Sequence, residues 1–165
     1  MMKGKGLAQI AVNGFREVYE NGTDLVSFEN KQAFKVCTLP GIVILKLIAY
    51  DDRPEVRQND IKDISLILKH YFNIETDIIY EQHNDLFEDN RDTPIIAARV
   101  LGRQMKRIIG KSIDLEKRVI AILQREIDNS EKSKVAELMV RGTDNSIADA
   151  LEILKEILQG IKDMV

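Results

Sequence analysis

The chain has 165 residues, 44% of them apolar, 31% charged and 5% aromatic, a length that suits one domain and buries about 70% of its unfolded surface. Its single cysteine, Cys37, excludes an internal disulfide framework and a cysteine zinc site. Twenty-four basic against 27 acidic side chains leave a net charge of −3, too even for wholesale binding to nucleic acid or an anionic membrane. No apolar run approaches the roughly 20 residues of a spanning helix. The basic start, Met1-Met2-Lys3-Gly4-Lys5-Gly6, leads into a mixed segment where a signal peptide would be apolar. The expectation is a soluble, cytoplasmic protein without membrane partners.

The first 38 residues are the least helical. Residues 8–12 have the pattern of a short strand, and residues 14–20 that of a helix stopped at Asn21-Gly22. Residues 25–29 and 33–39 are rich in β-formers around the turn-like Glu29-Asn30-Lys31 and pattern as a hairpin. Thr38-Leu39-Pro40-Gly41 then opens a helix, with proline near its first position. Through residue 52 that helix is apolar all round, so it belongs inside the fold. Arg53-Pro54 ends it. Asn59-Asp60 can cap the next helix, residues 61–71, whose stripe is Ile61, Ile64, Leu68 and Phe72.

An acidic helix over residues 75–87 follows. Asp92-Thr93-Pro94 starts another to about residue 109, with Ile95, Ala98, Leu101 and Met105 facing in. Residues 115–127 and 135–140 are shorter helical segments. The last helix, residues 146–164, repeats Ile147, Leu151, Leu154, Leu158 and Ile161 behind an Asp144-Asn145-Ser146 cap. The expected architecture is mainly α with a small N-terminal β element, an α+β chain divided into β-rich residues 1–39 and a helical domain over 40–165.

Lys46 is the only charge between Leu39 and Tyr50. A lysine on such a helix either snorkels its ammonium to water or finds an acidic partner. Asp60 and Asp63, one turn apart on the following helix, are the nearest source of one if the two helices form an antiparallel hairpin. Arg53 and Arg57 flank the connection. A guanidinium fork suits phosphate, although Asp51, Asp52 and Glu55 beside them also suit a salt-bridged loop.

Arg99, Arg103, Lys106 and Arg107 share a helix face. They read as a solvated outer surface or, less readily, as a track for an RNA backbone, since no aromatic residues are interleaved. Gly110-Lys111-Ser112 is no phosphate loop, because Met105 stands where the motif needs its first glycine. His70 and His83 lack metal-ligand spacing, and Cys37 reads as a small buried hydrophobe.

Taken together, Gly14-Phe15-Arg16-Glu17-Val18-Tyr19-Glu20, Phe34-Lys35-Val36, Leu39-Pro40-Gly41 running into Leu45-Lys46-Leu47-Ile48-Ala49, and Asp52-Arg53-Pro54 carry a resemblance. It continues through Arg57, Asp60, Asp63-Ile64, His70-Tyr71-Phe72, Glu81-Gln82-His83-Asn84-Asp85-Leu86-Phe87 and Ala97-Ala98-Arg99-Val100-Leu101-Gly102-Arg103. The chain resembles predicted nucleotidyltransferases related to the abortive-infection, type IV toxin group, over more than half its length.

The resemblance implies the C-terminal part of a polymerase-β-like fold followed by a helical bundle, with residues 1–39 as the remnant of its sheet. It implies Lys46 and Asp60 as catalytic positions, and Lys46, Arg53, Arg57 and Asp63 as nucleotide-binding ones. Such enzymes hold Mg²⁺ on a Gly-Ser turn and an Asp-x-Asp pair upstream of the glycine-phenylalanine segment. The thirteen residues before Gly14 contain no Gly-Ser, no aspartate and no glutamate, and Asn59 stands where the family often has lysine. The expectation is therefore a split or truncated nucleotidyltransferase-like protein, inactive alone, that binds no metal itself. Mg²⁺ and a nucleoside triphosphate would come with a partner carrying the N-terminal half, and an antitoxin-like protein or further copies of the chain are other partners. The alternative is a non-catalytic helical module that binds a nucleotide, a protein or, less readily, RNA.

Overall fold

The computed structural model describes residues 14–164, so the strand expected over 8–12 lies outside the described residues. Gly14 sits at φ 88°, and a Cβ there would come 2.8 Å from Ile48 Cδ1, so only glycine lets helix α1, Phe15–Asn21, start this close to the core. Val18 is its buried anchor. The amide of Gly22 donates to the Val18 carbonyl and closes the helix.

Strands β1, Thr23–Ser27, and β2, Ala33–Cys37, then form the expected hairpin, antiparallel with Thr23 opposite Cys37 and Val26 opposite Phe34. The strands carry exposed side chains along almost their whole length. Cys37 is half-buried rather than buried.

Thr38 joins the hairpin to the helices. Its hydroxyl donates to the Gly22 carbonyl at 3.0 Å and accepts from the Gly41 amide at 3.3 Å, capping α2, Leu39–Asp52. Val43, Ile44, Leu47 and Ile48 of α2 are buried, as an all-apolar helix requires. Helix α3 runs Gln58–Ile74 with Arg57 at its N-cap. The expected Asn59-Asp60 cap does not form, because both residues lie inside the first turn and the Asp60 carboxylate turns toward α2. Tyr71, not Phe72, takes the last fully buried place on the stripe.

The single helix expected over 75–87 breaks in two. Helix α4, Thr76–Gln82, stops at His83, and a 3-10 turn spans Asn84–Phe87. His83 leaves the helical line with its ring fully buried, and the bend returns Phe87 to stack on Tyr80 at 4.8 Å. Helices α5, Thr93–Ile109, α6, Ile113–Asp128, α7, Lys134–Val140, and α8, Ile147–Lys162, complete the chain. Ser112, Ser133 and Ser146 cap the last three through their hydroxyls, Ser146 within a full capping box with Asp149. On α5 it is Ile96 and Ala97, not Ile95, that join Ala98, Leu101 and Met105 inside.

The centre is the crossing of α5 and α8. A Cβ on Gly102 would overlap the Ile157 carbonyl, and one on Gly160 would overlap that of Arg99. The backbones therefore meet with no side chain between them. One hydrophobic cluster runs from Val18 through these helices to Ile161. Among the described residues no helix is long and apolar enough to cross a membrane.

Candidate functional site

Helices α2 and α3 form an antiparallel pair, and Lys46 lies where they face each other. Its ammonium donates to Asp60 Oδ1 at 2.9 Å and to Asp63 Oδ2 at 2.7 Å. The Lys46 side chain is 24% exposed, against 13% for Asp60 and 52% for Asp63. The clamp is inward on one side and wet on the other. Burial opposes the ammonium charge, but the hydrogen bonds to Asp63 and Asp60 outweigh it and hold the lysine above its ordinary pKa. It is fully charged at neutral pH.

Arg57 approaches the second Asp60 oxygen, Oδ2, to 3.7 Å, too far for a hydrogen bond. That oxygen is buried without a hydrogen-bond partner. The four sequence-assigned residues Lys46, Arg57, Asp60 and Asp63 thus come together. Arg53 does not join them; it is 68% exposed, and its ion pair is with Glu55 at 3.7 Å.

Two positive and two negative side chains make this cluster neutral. Free donor capacity remains on the third ammonium proton of Lys46 and on the Arg57 fork, whereas Asp60 Oδ2 is an unpaired acceptor sealed from solvent. At its wet edge such a set can donate to a small group that accepts hydrogen bonds. It is a poor fit for Mg²⁺, because its two carboxylates are neutralised by the Lys46 ammonium and the Arg57 guanidinium, whose charges repel a cation. Among the described residues no group of three or more His, Cys, Asp or Glu side chains could hold a metal ion.

The basic helix face is neither the solvated surface nor the RNA track expected of it. Arg99 grips Asp163 with two hydrogen bonds, 2.8 and 2.9 Å, and reaches Glu156 at 3.0 Å. Arg103, 9% exposed, donates to both Asp85 oxygens at 2.9 and 2.7 Å and to Asp163 at 2.7 Å. Lys106 pairs with Glu116, and only Arg107 of the four is exposed. The guanidiniums are consumed in tying α5 to the end of α8 and to the 3-10 turn.

His83 belongs to the same network, with Nδ1 3.2 Å from Arg103 Nη1 and Nε2 3.2 Å from Gln104. An arginine can only donate, so Nδ1 accepts and the ring proton of the neutral imidazole sits on Nε2, beside the Gln104 side-chain amide. The sequence weighed His83 only as a metal ligand and gave Asp85, Glu156 and Asp163 no role of their own. The available signal was a glycine with charges within one turn of it on each of two helices: Arg99, Gly102 and Arg103 on one, Glu156, Gly160 and Asp163 on the other.

Two grooves lie away from Lys46. One of about 800 Å³ separates α3 from α8. A smaller one of about 290 Å³ lies between the 54–58 connection and α7. Comparison with protein-family models, with curated proteins and with solved structures gives no significant match to this chain.

Proposed function

We propose that the chain is the nucleotide-side part of a nucleotidyltransferase-like protein, inactive by itself and completed by a second polypeptide that brings the metal-binding carboxylates. The observation that carries this reading is the Lys46 clamp. A charged lysine is held at the edge of the core by Asp60 and Asp63, next to Arg57, with one ammonium proton and one buried carboxylate oxygen left over. These are the positions that the family resemblance assigns to the nucleotide. In this role Lys46 and Asp60 orient the nucleotide, Arg57 meets a phosphate through its planar fork, and Asp63 holds the lysine in place. Arg53 joins only if it leaves Glu55. Mg²⁺ and the nucleoside triphosphate arrive with the partner, since both carboxylates of the cluster are paired with cationic side chains.

The bare hairpin supports a partner. Leu25, Val26, Phe34 and Val36 project from the two strands, all exposed, and unpaired strand edges of this kind are normally covered. A metal-bearing half, an antitoxin-like protein or a second copy of the chain would cover them, in the cytoplasm. The competing reading is a non-catalytic helical interaction module, favoured by the charge neutrality of the clamp.

The deciding experiment mixes the purified chain with the product of the reading frame upstream, Mg²⁺ and radiolabelled nucleoside triphosphates. The expected outcome is label transfer that requires both polypeptides and disappears with Lys46→Ala, checked for folding by circular dichroism. Transfer that survives Lys46→Ala refutes the site. No transfer in the mixture, with no heat on titrating Mg-ATP or Mg-CTP, favours the non-catalytic module.

A further inference from the structure

The groove of about 800 Å³ between α3 and α8 has a construction that the clamp does not explain. On α3, positions 62, 65, 66, 69 and 72 fall on one side of the helix at steps of three and four. This is a second face, distinct from the one that Ile61, Ile64 and Leu68 bury in the core. Leu66 is 57% exposed on it. The floor is apolar, from half-buried Phe72, Val140 and Ile153.

The two walls carry opposite charge. Lys62 and Lys69 are exposed on the α3 side, and Asp149 and Glu152 on the α8 side. Among the described residues Lys62, Lys69 and Glu152 have no ion-pair or hydrogen-bond partner, while Asp149 also serves the Ser146 cap. Asp92, at the start of α5, and Arg141, at the end of α7, complete the charged rim. The walls are held in place: the Ser65 hydroxyl donates to the Met139 carbonyl at 2.9 Å and fixes α3 against α7.

The shape selects the occupant. Both walls are helices with satisfied backbones, so no strand can add to them. The one side-chain hydroxyl on the α3 wall, Ser65, is already engaged, and the other uncharged polar side chains, Thr93, Thr143 and Asn145, stand at the start of α5 and in the connection before α8 rather than along the two walls. An apolar channel with a positive and a negative bank fits a helix that is apolar beneath, acidic on one flank and basic on the other. From residue 62 to residue 72 the α3 wall spans about 15 Å, close to three helical turns. We propose that this groove receives an amphipathic α-helix of a partner protein, with its acidic flank along Lys62 and Lys69 and its basic flank along Asp149 and Glu152. The proposal is independent of the nucleotide reading, because the groove touches none of Lys46, Arg57, Asp60 and Asp63.

The probe is a fluorescein-labelled helical peptide of about four turns, with leucines at i, i+3, i+4 and i+7, glutamates on one flank and lysines on the other. Fluorescence anisotropy with the full chain should show saturable binding. Lys62→Glu/Lys69→Glu should weaken it by ~10-fold or more, with an unchanged circular dichroism spectrum, since both side chains are in water. A peptide with lysines on both flanks should then bind that variant better than it binds the wild type. No saturation, or equal affinity for wild type and variant, overturns the proposal.

Discussion

Lys46 shows how a single side chain can be decided by elimination. An ammonium in an apolar helix must reach water or a carboxylate, and a short connection brings the first turns of α3 alongside. Asp60 and Asp63 are within one turn of each other there, so the clamp was legible from local spacing. Asp60, mostly buried, is the partner whose charge needs the lysine; stranding such a carboxylate costs about 1–3 kcal/mol. Asp63 is half in water and contributes less. The arginines of α5 were not legible, because the carboxylates they meet on α8 are 57 to 64 residues away in sequence. The place of His83 was hidden in the same way, because the Arg103 it meets is 20 residues on. Burial, with the neighbouring charges of Arg103 and Arg107, pushes its pKa below the ordinary value. The unfolded chain then takes up a proton near pH 6.5 that the folded chain refuses. Stability is complete above about pH 6.5 and should fall as pH drops through that value toward the folded pKa. Asp85 is held below the usual carboxylate range by its hydrogen bonds from Arg103; burial works against Asp163, but Arg99 and Arg103 keep it low as well. Both carboxylates lose their contribution only below about pH 4, so the windows do not overlap. Urea midpoints between pH 7.5 and 5 should decline for the wild type and flatten in His83→Gln, with exposed His70→Gln as control. A flat wild-type profile would refute the assignment of a neutral, buried ring.

At the scale of elements, what could be foreseen depended on how local the cause was. Prolines at helix starts, serine caps and the Arg53-Pro54 stop act within four residues, and the helices they delimit begin and end close to where those residues stand. The break at His83 is different. Residues 76–87 have no proline or glycine, and the interruption falls where the His83 imidazole turns into the core against Arg103. The α5–α8 crossing is also a tertiary fact. Gly102 and Gly160 look like weak points in their helices, each costing about 1 kcal/mol relative to alanine by propensity alone. In the fold they are the points where two backbones touch. Gly102→Ala should therefore lower stability by about 3 kcal/mol, against the direction of propensity, because the methyl must push the Ile157 carbonyl away. Gly142→Ala is the comparison: a Cβ there meets nothing within 4 Å, and only the left-handed backbone, φ 80°, is strained, at a cost of about 1 kcal/mol. Denaturant titration of the two variants should rank them in that order. A stabilised Gly102→Ala would mean that the helices are not in contact at that point.

For the whole molecule, the contrast is between a dry helical core and a wet apolar hairpin. On β1 and β2 the alternation puts Val26, Phe34 and Val36 on one face, where Phe28 meets Phe34 edge-to-face at 5.7 Å. Lys35 and Leu25 point the other way, and Lys35 lies 4.1 Å over the Tyr19 ring of α1. One face is therefore partly covered by the chain itself and the other is bare. The composition could not foretell this, because the same β-forming residues would pattern alike in a buried strand and in an exposed one. Two strands alone are marginal in water, and Thr38 with its two bonds to Gly22 holds this pair against the helices. A bare face on a fixed hairpin favours association: each copy that covers another removes apolar area from water without the cost of first ordering the strands. In the absence of any other partner the chain should self-associate at concentrations on the order of tens of micromolar. Val26→Glu/Phe34→Glu places two like charges opposite each other on that face. Sedimentation velocity should then show a monomer, with the helical circular dichroism retained because neither side chain enters the core. Wild-type chain that stays strictly monomeric over that range would exclude a second copy as the cover and leave the bare face to a partner of different sequence.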